Sequence, residues 1–196
     1  MGKVIAGFST SLDGFIADPQ GEVGPLFDWY SGGDVEVTFP NDHWVAKVSA
    51  ASATVIRELN QRTGAIVSGR RQFDMARGWG GRHTLDVPVF IVTHHVPQEW
   101  VYAGSPFTFV TNGVASAIAQ AQAVAGSKDV GVDGANVAQQ AIKAGLVDEI
   151  FIDLVPILLG AGIHFFDNLG PTPIELEQTR VVEGAGVTHL HFRIVK

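Results

Sequence analysis

The chain has 196 residues, 46% of them hydrophobic and 17% charged, which allows one domain with a full core and excludes wholesale disorder. A formal net charge of −7 and a pI near 5.4 argue against nucleic acid or an anionic membrane as partner, since both select basic surfaces. The absence of cysteine excludes disulfides, thiolate catalysis and cysteine-based zinc sites.

The N-terminus, "MGKVIAGFSTSLDGFIA", has one lysine and a short apolar run, without the length or flanks of a signal peptide. Met1-Gly2 followed by Lys3 is a poor myristoylation site. No apolar stretch approaches the roughly 18–20 residues that span a bilayer, so a cytoplasmic location is expected. Residues 3–9 read as a first strand. A glycine-rich excursion follows from Thr10 to about Pro40, holding Trp29 and Tyr30. A stretch this long without regular structure is either a surface loop or a functional one, and the residues leave both open.

Residues 50–62 predict a helix, with Val55 and Leu59 on one face and Gly64 as its C-cap. Ala65-Ile66-Val67-Ser68 is a short buried strand ended by Gly69, and "RRQFDMARG" is a short helix. "PVFIVT" at 88–93 and "FTFVT" at 107–111 are further strands, and 116–125 is an Ala-rich helix closed by Gly126. Residues 130–132 form a strand that breaks at Asp133-Gly134 into a helix over 135–144, and the chain turns apolar again after Asp148-Glu149. Strands alternating with helices imply βαβ units around a largely parallel sheet. Two alternating runs, 174–182 and 187–195, flank Glu183-Gly184-Ala185-Gly186 and predict an antiparallel hairpin at the C-terminal edge.

Three strand ends collect residues suited to one extended anionic ligand: Gly69-Arg70-Arg71, Thr93-His94-His95 and Asp133-Gly134. Four of the thirteen Lys and Arg residues fall between Arg70 and Arg82. Such a cluster fits a phosphate pocket or a solvated helix face. His94-His95 lacks a third ligand at a recognisable spacing, so no metal site is expected. His189 and His191 alternate onto one face of the last strand and are expected at a surface or subunit contact. No G-x-S-x-G supports a hydrolase, and the glycine turn does not fit G-x-G-x-x-G. Trp29, Trp44 and Trp79 could wall a ring-shaped substrate or pack in the core.

The pieces "STSLDGFIA", "AIVSGRRQFD", "PVFIVTHH" and "GLVDEIFIDLVPILLGAGIHFF", in this order over nearly the whole chain, resemble the dihydrofolate-reductase-like superfamily. Within it they are most similar to the C-terminal reductase domain of the riboflavin-biosynthesis protein RibD. The resemblance implies one α/β domain over residues 1–196, with a mostly parallel central sheet flanked by helices. It also implies NADPH as cofactor and hydride transfer to a small heterocyclic substrate, as in 5-amino-6-(5-phosphoribosylamino)uracil reductase or dihydrofolate reductase.

By the same resemblance, Gly69, Arg70 and Arg71 lie near the adenosine phosphates, and Thr93 and His94 flank the adenine ribose and its 2′-phosphate. Gly134, Ala135 and Asn136 present N–H groups to the pyrophosphate, and Leu12, Asp13 and Gly14 cover the nicotinamide, with Asp13 as proton donor or turn residue. The family's glycine pair reads here as Asp133-Gly134. A carboxylate aimed at a pyrophosphate would repel it, so Asp133 is expected to turn aside and cap the helix. Val132 stands where the riboflavin-pathway domains carry an acidic residue on the substrate side. The acid that folate reductases carry after the first long loop has no clean match around Asp28 to Asp42. A homodimer is expected from the apolar segment and the C-terminal hairpin. A non-catalytic flavin, folate or nucleotide binder is the rival reading of the same pocket.

Overall fold

The structure is a computed structural model that describes residues 2–41 and 44–196; Met1, Asp42 and His43 lie outside the described residues. β1 (Val4–Ser11), β2 (Phe15–Ala17), β3 (Val35–Thr38) and β4 (Val45–Val48) come first. Next come α1 (Ala50–Arg62), β5 (Thr63–Gly69), α2 (Arg70–Met75), β6 (Val89–Val92), β7 (Phe107–Val110) and α3 (Val114–Ala125). The chain ends with β8 (Asp129–Asp133), α4 (Ala135–Lys143), β9 (Glu149–Val155), β10 (Ile163–His164), β11 (Leu176–Gly184) and β12 (Val187–Ile194).

Eight strands make one sheet in the order β11-β12-β9-β1-β8-β5-β6-β7. The six from β9 to β7 run parallel, and β12 and β11 add antiparallel at one edge. This is the mostly parallel sheet with a C-terminal hairpin that the pattern of the chain predicts. The chain steps outward through β5, β6 and β7, then returns through α3 to insert β8 between β1 and β5. The carboxyl ends of β5 to β8 therefore lie side by side, where open parallel sheets take their ligands.

The two faces are covered differently. On one, Val4, Ala6, Ala65, Val67, Val130 and Val132 pack against Ala117, Ile118 and Ala121 of α3 and Val137, Ala138 and Ala141 of α4. The small alanines let both helices sit close to the sheet. On the other face α1 packs with the β3–β4 hairpin and the 3-10 segment Gly24–Ser31 through Leu26, Trp29, Val37, Phe39, Ile56 and Val187. Phe73 of α2 is wholly buried beside Ile66, Val89, Ile91 and Phe107.

Three local expectations change. The excursion over 10–40 is ordered: β2, the 3-10 segment and β3 occupy it, because Leu26, Trp29, Val37 and Phe39 bury there. Gly64 is not the C-cap of α1; that position is Thr63, already extended, and Gly64 belongs to β5. Its glycine is required by close approach, since a Cβ there would lie 2.7 Å from Cβ of Lys128. His189 and His191 are not at the surface but buried, at 0% and 7% exposure. His191 stacks on Phe151 with ring centroids 3.7 Å apart, and its burial lowers its pKa.

Candidate functional site: two cavities meeting at a strand end

The first cavity, of about 650 Å³, opens over the carboxyl ends of β5 to β8. Gly69, Arg70, Arg71, Thr93, His94, Gly134, Ala135 and Asn136 all line it. So do Thr111, Gly113 and His95. Three helices begin here, and each has glycine as its N-cap: Gly69 for α2, Gly113 for α3 and Gly134 for α4. None has a side-chain cap or an acidic residue in its first turn. Gly113 and Gly134 have φ of 95° and 89°, a region that disfavours side chains. The first N–H groups of these helices lack side-chain acceptors, and their partial positive charge points at one space. An anion with several phosphates satisfies them.

The two arginines differ. Arg70 is tied down by Asp74 at 2.7 Å and by the His95 carbonyl, which accepts from it at 3.0 Å. Arg71 makes no ion pair among the described residues, so its charge is free for a ligand. The Thr93 hydroxyl donates to the His95 carbonyl at 2.8 Å and accepts from the His95 N–H at 3.2 Å, which folds the 93–95 turn over the cavity edge.

Leu12, Asp13 and Gly14 form the turn between β1 and β2 and line neither cavity. The Leu12 N–H donates to the Ile157 carbonyl at 2.8 Å, and the Gly14 carbonyl accepts from Phe165 N–H at 3.0 Å. The Asp13 carboxylate accepts from the Ser11 hydroxyl at 2.5 Å and from the N–H groups of Leu159 and Gly160 at 3.1 and 2.8 Å. The Ser11 hydrogen bond leads in holding its pKa down to about 2. A carboxylate so held is a fastener of the 157–160 segment. The chain just after the turn does reach the first cavity, through Ile16, Ala17, Gly21 and Val23.

The second cavity, of about 500 Å³, lies on the α1 face of the sheet. Phe8 and Gln72 stand in the walls of both cavities, so the two meet there. Trp29, Trp44 and Trp79 all line the second one, together with Phe27, Tyr30 and Phe39. Trp29 and Tyr30 stack at 3.8 Å, and Phe39 and Trp44 at 4.6 Å. Trp79 arrives from a turn in which Arg77, Gly78, Trp79 and Gly80 all have φ between 48° and 68°. Two of these are not glycine, and such backbone strain is typical of ligand sites.

Asp133 opens into this second cavity and does not cap α4, whose N-cap is Gly134 without a side-chain bond. The expected cap is corrected by strand alternation. Val132 turns into the core under α3 and α4, and Asp133, one residue on, faces the opposite side. The carboxylate that this strand end brings to the second cavity is therefore Asp133. Burial pushes the Asp133 carboxyl up from 3.8 to about 6. Its register partner Ser68 carries the buried side-chain oxygen that lacks a partner among the described residues. Tyr30 is pushed well above its ordinary value by burial and by Asp153 and Asp133, so its hydroxyl stays a donor.

Asp153 is the second carboxylate of this cavity. Nδ1 of His189 lies 2.6 Å from it, and Nε2 lies 2.9 Å from Oγ of Ser52. Ser49 in turn donates to Ser52 at 3.0 Å. The line has hydrolase-like residue types, but Ser52 is 1% exposed and lines neither cavity. It orients Asp153. Among the described residues no group of three or more His, Asp or Glu is arranged to hold a metal ion. Sequence reasoning singled out none of Thr111, Gly113, Gln72 and Asp153 as site residues and expected His189 at a surface; only strand pairing brings Asp153 and His189 together.

Residues 2–190 match the family model described as the RibD C-terminal domain. The crystal structure of a putative riboflavin biosynthesis protein from Shewanella sp. PV-4 is 26% identical, covers 99% of both chains and superposes with a TM-score of 0.72. The riboflavin biosynthesis reductase Rib7 of Saccharomyces cerevisiae is 14% identical over 99% of this chain and 90% of its own, with a TM-score of 0.62, a likeness of fold alone. The uncharacterized protein YwjB of Bacillus subtilis is 23% identical over 186 residues, 91% of each chain.

Proposed function

The chain belongs to the RibD C-terminal domain family, and on that premise we propose that it is an NADPH-dependent reductase, one domain over residues 1–196, that transfers a hydride to a small heterocyclic substrate. One observation carries this conclusion. A cavity ringed by three uncapped helix N-termini and a free arginine meets a cavity walled by aromatic rings and two carboxylates. The first has the chemistry for a dinucleotide, the second for a flat ring, and they touch at Phe8 and Gln72.

When bound, NADPH supplies the hydride from C4 of its nicotinamide ring. The chain does the rest. Gly134, Ala135 and Asn136 offer N–H groups to the pyrophosphate, Gly69 and Gly113 widen that donor ring, and Arg71 meets the 2′-phosphate beside Thr93 and His94. Arg70 braces the 93–95 turn. Leu12, Asp13 and Gly14 hold the segment that carries Ile16 and Ala17 to the nicotinamide end. The Asp133 carboxyl holds the proton that goes to the substrate as its carbon is reduced. That assigns the acid to Asp133 and leaves Asp13 as a fastener.

Riboflavin biosynthesis, named for several relatives, is the natural setting for such a heterocycle. No helix is long and apolar enough to cross a membrane among the described residues, and a cytoplasmic homodimer remains part of the proposal. The test is titration of nicotinamide fluorescence with NADPH and NADH, followed by oxidation at 340 nm with aminopyrimidines, pterins and flavins. A non-catalytic binder would give the first signal without the second. Arg71→Ala should weaken NADPH at least about tenfold, the worth of one charge-assisted hydrogen bond, and leave NADH nearly unchanged. Equal losses for both would move Arg71 to the pyrophosphate.

A further inference from the structure

We propose that Ser68 is a positioning residue for the acid of the site, its hydroxyl idle while Asp133 holds its proton and donating to the carboxylate once that proton has left. This rests on the reading of Asp133 as the proton donor and deepens it. Ser68 and Asp133 are register partners on the parallel strands β5 and β8. Register partners share a face of the sheet. The pairs before them fix which face it is. Ala65, Val67, Val130 and Val132 pack under α3 and α4, and the positions between them turn to the other side. A Cβ on Gly131 would lie 2.7 Å from Cδ1 of its register partner Ile66, which lines the second cavity. Ser68 and Asp133, two residues on, stand on that same face.

Ser68 is 0% exposed, and its hydroxyl lacks a partner among the described residues. A hydroxyl buried in this way costs stability, which a use in another state of the site explains. Its register partner on β6 is Ile91, wholly buried in an apolar cluster and without a side-chain acceptor. The polar neighbour is Asp133, on a strand about 4.8 Å away and within reach of one rotation about the Ser68 Cα–Cβ bond. When the Asp133 O–H bond breaks and its proton goes to the substrate, the group becomes an acceptor only. The Gly134 N–H is one donor to it. Ser68 supplies a second and keeps its own proton. No Lys or Arg lines the second cavity among the described residues; Arg70 and Arg71 of α2 line the first. The other titratable groups around Asp133 in its cavity are Tyr30, His83, Asp153 and His189, and both nitrogens of His189 are engaged by Asp153 and Ser52.

The experiment is a carboxyl NMR titration of the full chain with isotope-labelled aspartate, the Asp133 signal being the one absent from Asp133→Asn. Ser68→Ala should raise the Asp133 midpoint by at least about one pH unit, a tenfold change in proton affinity, the worth of one hydrogen bond to a charged group. Thermal melts give a second reading. At pH 4 Asp133 is protonated and the hydroxyl idle, so Ser68→Ala should melt at or above the parent. Its folded-state pKa lies further above the ordinary 3.8 than the parent's, so it loses more stability as pH rises and should melt below the parent at pH 8. In the Asp133→Asn background the same substitution should have one effect at both pH values. If Ser68→Ala does not fold, Ser68→Cys, a weaker donor, should move the midpoint the same way. An unchanged or lowered midpoint, or an equal loss of melting temperature at both pH values, would overturn the inference; Tyr30 or Gln72, the other donors lining the cavity, would then serve Asp133. A 340 nm assay with NADPH and the aminopyrimidines, pterins and flavins separates the two conclusions. A raised midpoint without turnover of any of them removes the reductase and keeps the proton-linked pair. Turnover with an unmoved midpoint, its fall at high pH unchanged in Ser68→Ala, removes the pair and keeps the reductase.

Discussion

Two aspartates that look alike in the chain have opposite electrostatics in the fold. Asp13 accepts three hydrogen bonds and is held at about 2, so it is ionised at any working pH. Asp133 is lifted to about 6 by burial, so it can hold a proton near neutrality. Asp133→Asn should lower kcat by about 100-fold or more, the usual worth of a positioned acid. The parent rate should fall as pH rises through about 6, and Asp13→Asn should leave that profile in place. Stability gives an independent reading. The folded-state pKa of Asp133 lies above its ordinary 3.8, so the stability linked to its proton is fully present below pH 3.8 and lost as pH rises through about 6. Asp133→Asn should therefore melt higher than the parent at pH 8, by at most about 3 kcal/mol because the cavity mouth admits some solvent, and should lose that advantage at pH 4. Thermal melts at the two pH values check it. The Asp133-Gly134 pair is visible in the chain as a strand end. Which side its carboxylate takes depends on β8 lying between β1 and β5, and no local pattern carries that information.

At the scale of elements, α4 holds two interests in balance. Its start is uncapped, which costs helix stability and leaves N–H donors for an anion. Asn136→Asp puts a negative charge in the exposed first turn, where it complements the helix dipole. The variant should gain about 0.3–1 kcal/mol without cofactor and bind both NADPH and NADH several-fold more weakly, since both carry the pyrophosphate. Melts and fluorescence titrations measure the two effects; tighter cofactor binding would put the pyrophosphate elsewhere. Helix α1 is legible over Ala50–Arg62, because Ala, Glu, Gln and Arg dominate it and Val55 and Leu59 share a face; the fold adds Ser49 as its cap. The segment after β1 is not legible. Its order comes from Leu26, Trp29 and Phe39 packing against α1 and the β3–β4 hairpin, contacts distant in the chain.

For the whole molecule, β11 is the last strand of the sheet, with Leu176 and Val181 40% and 48% exposed. An unpaired edge with apolar side chains is commonly covered by a second copy. Sedimentation should therefore show a dimer at micromolar concentration, and a monomer would reject it. The chain by itself determined the alternation of strands and helices, the antiparallel C-terminal hairpin and the three strand ends at Gly69-Arg70-Arg71, Thr93-His94-His95 and Asp133-Gly134, because each is written in short-range periodicity and turn chemistry. Only the tertiary structure decided that a second, acidic and aromatic cavity exists. Its walls come from β1, β8, β9, β12, α1 and the 3-10 segment, which are far apart in sequence. Asp153 and His189 meet there because β9 and β12 pair in one register, and a slip of β12 by one residue would turn His189 to the other face and leave Asp153 where β1 holds it.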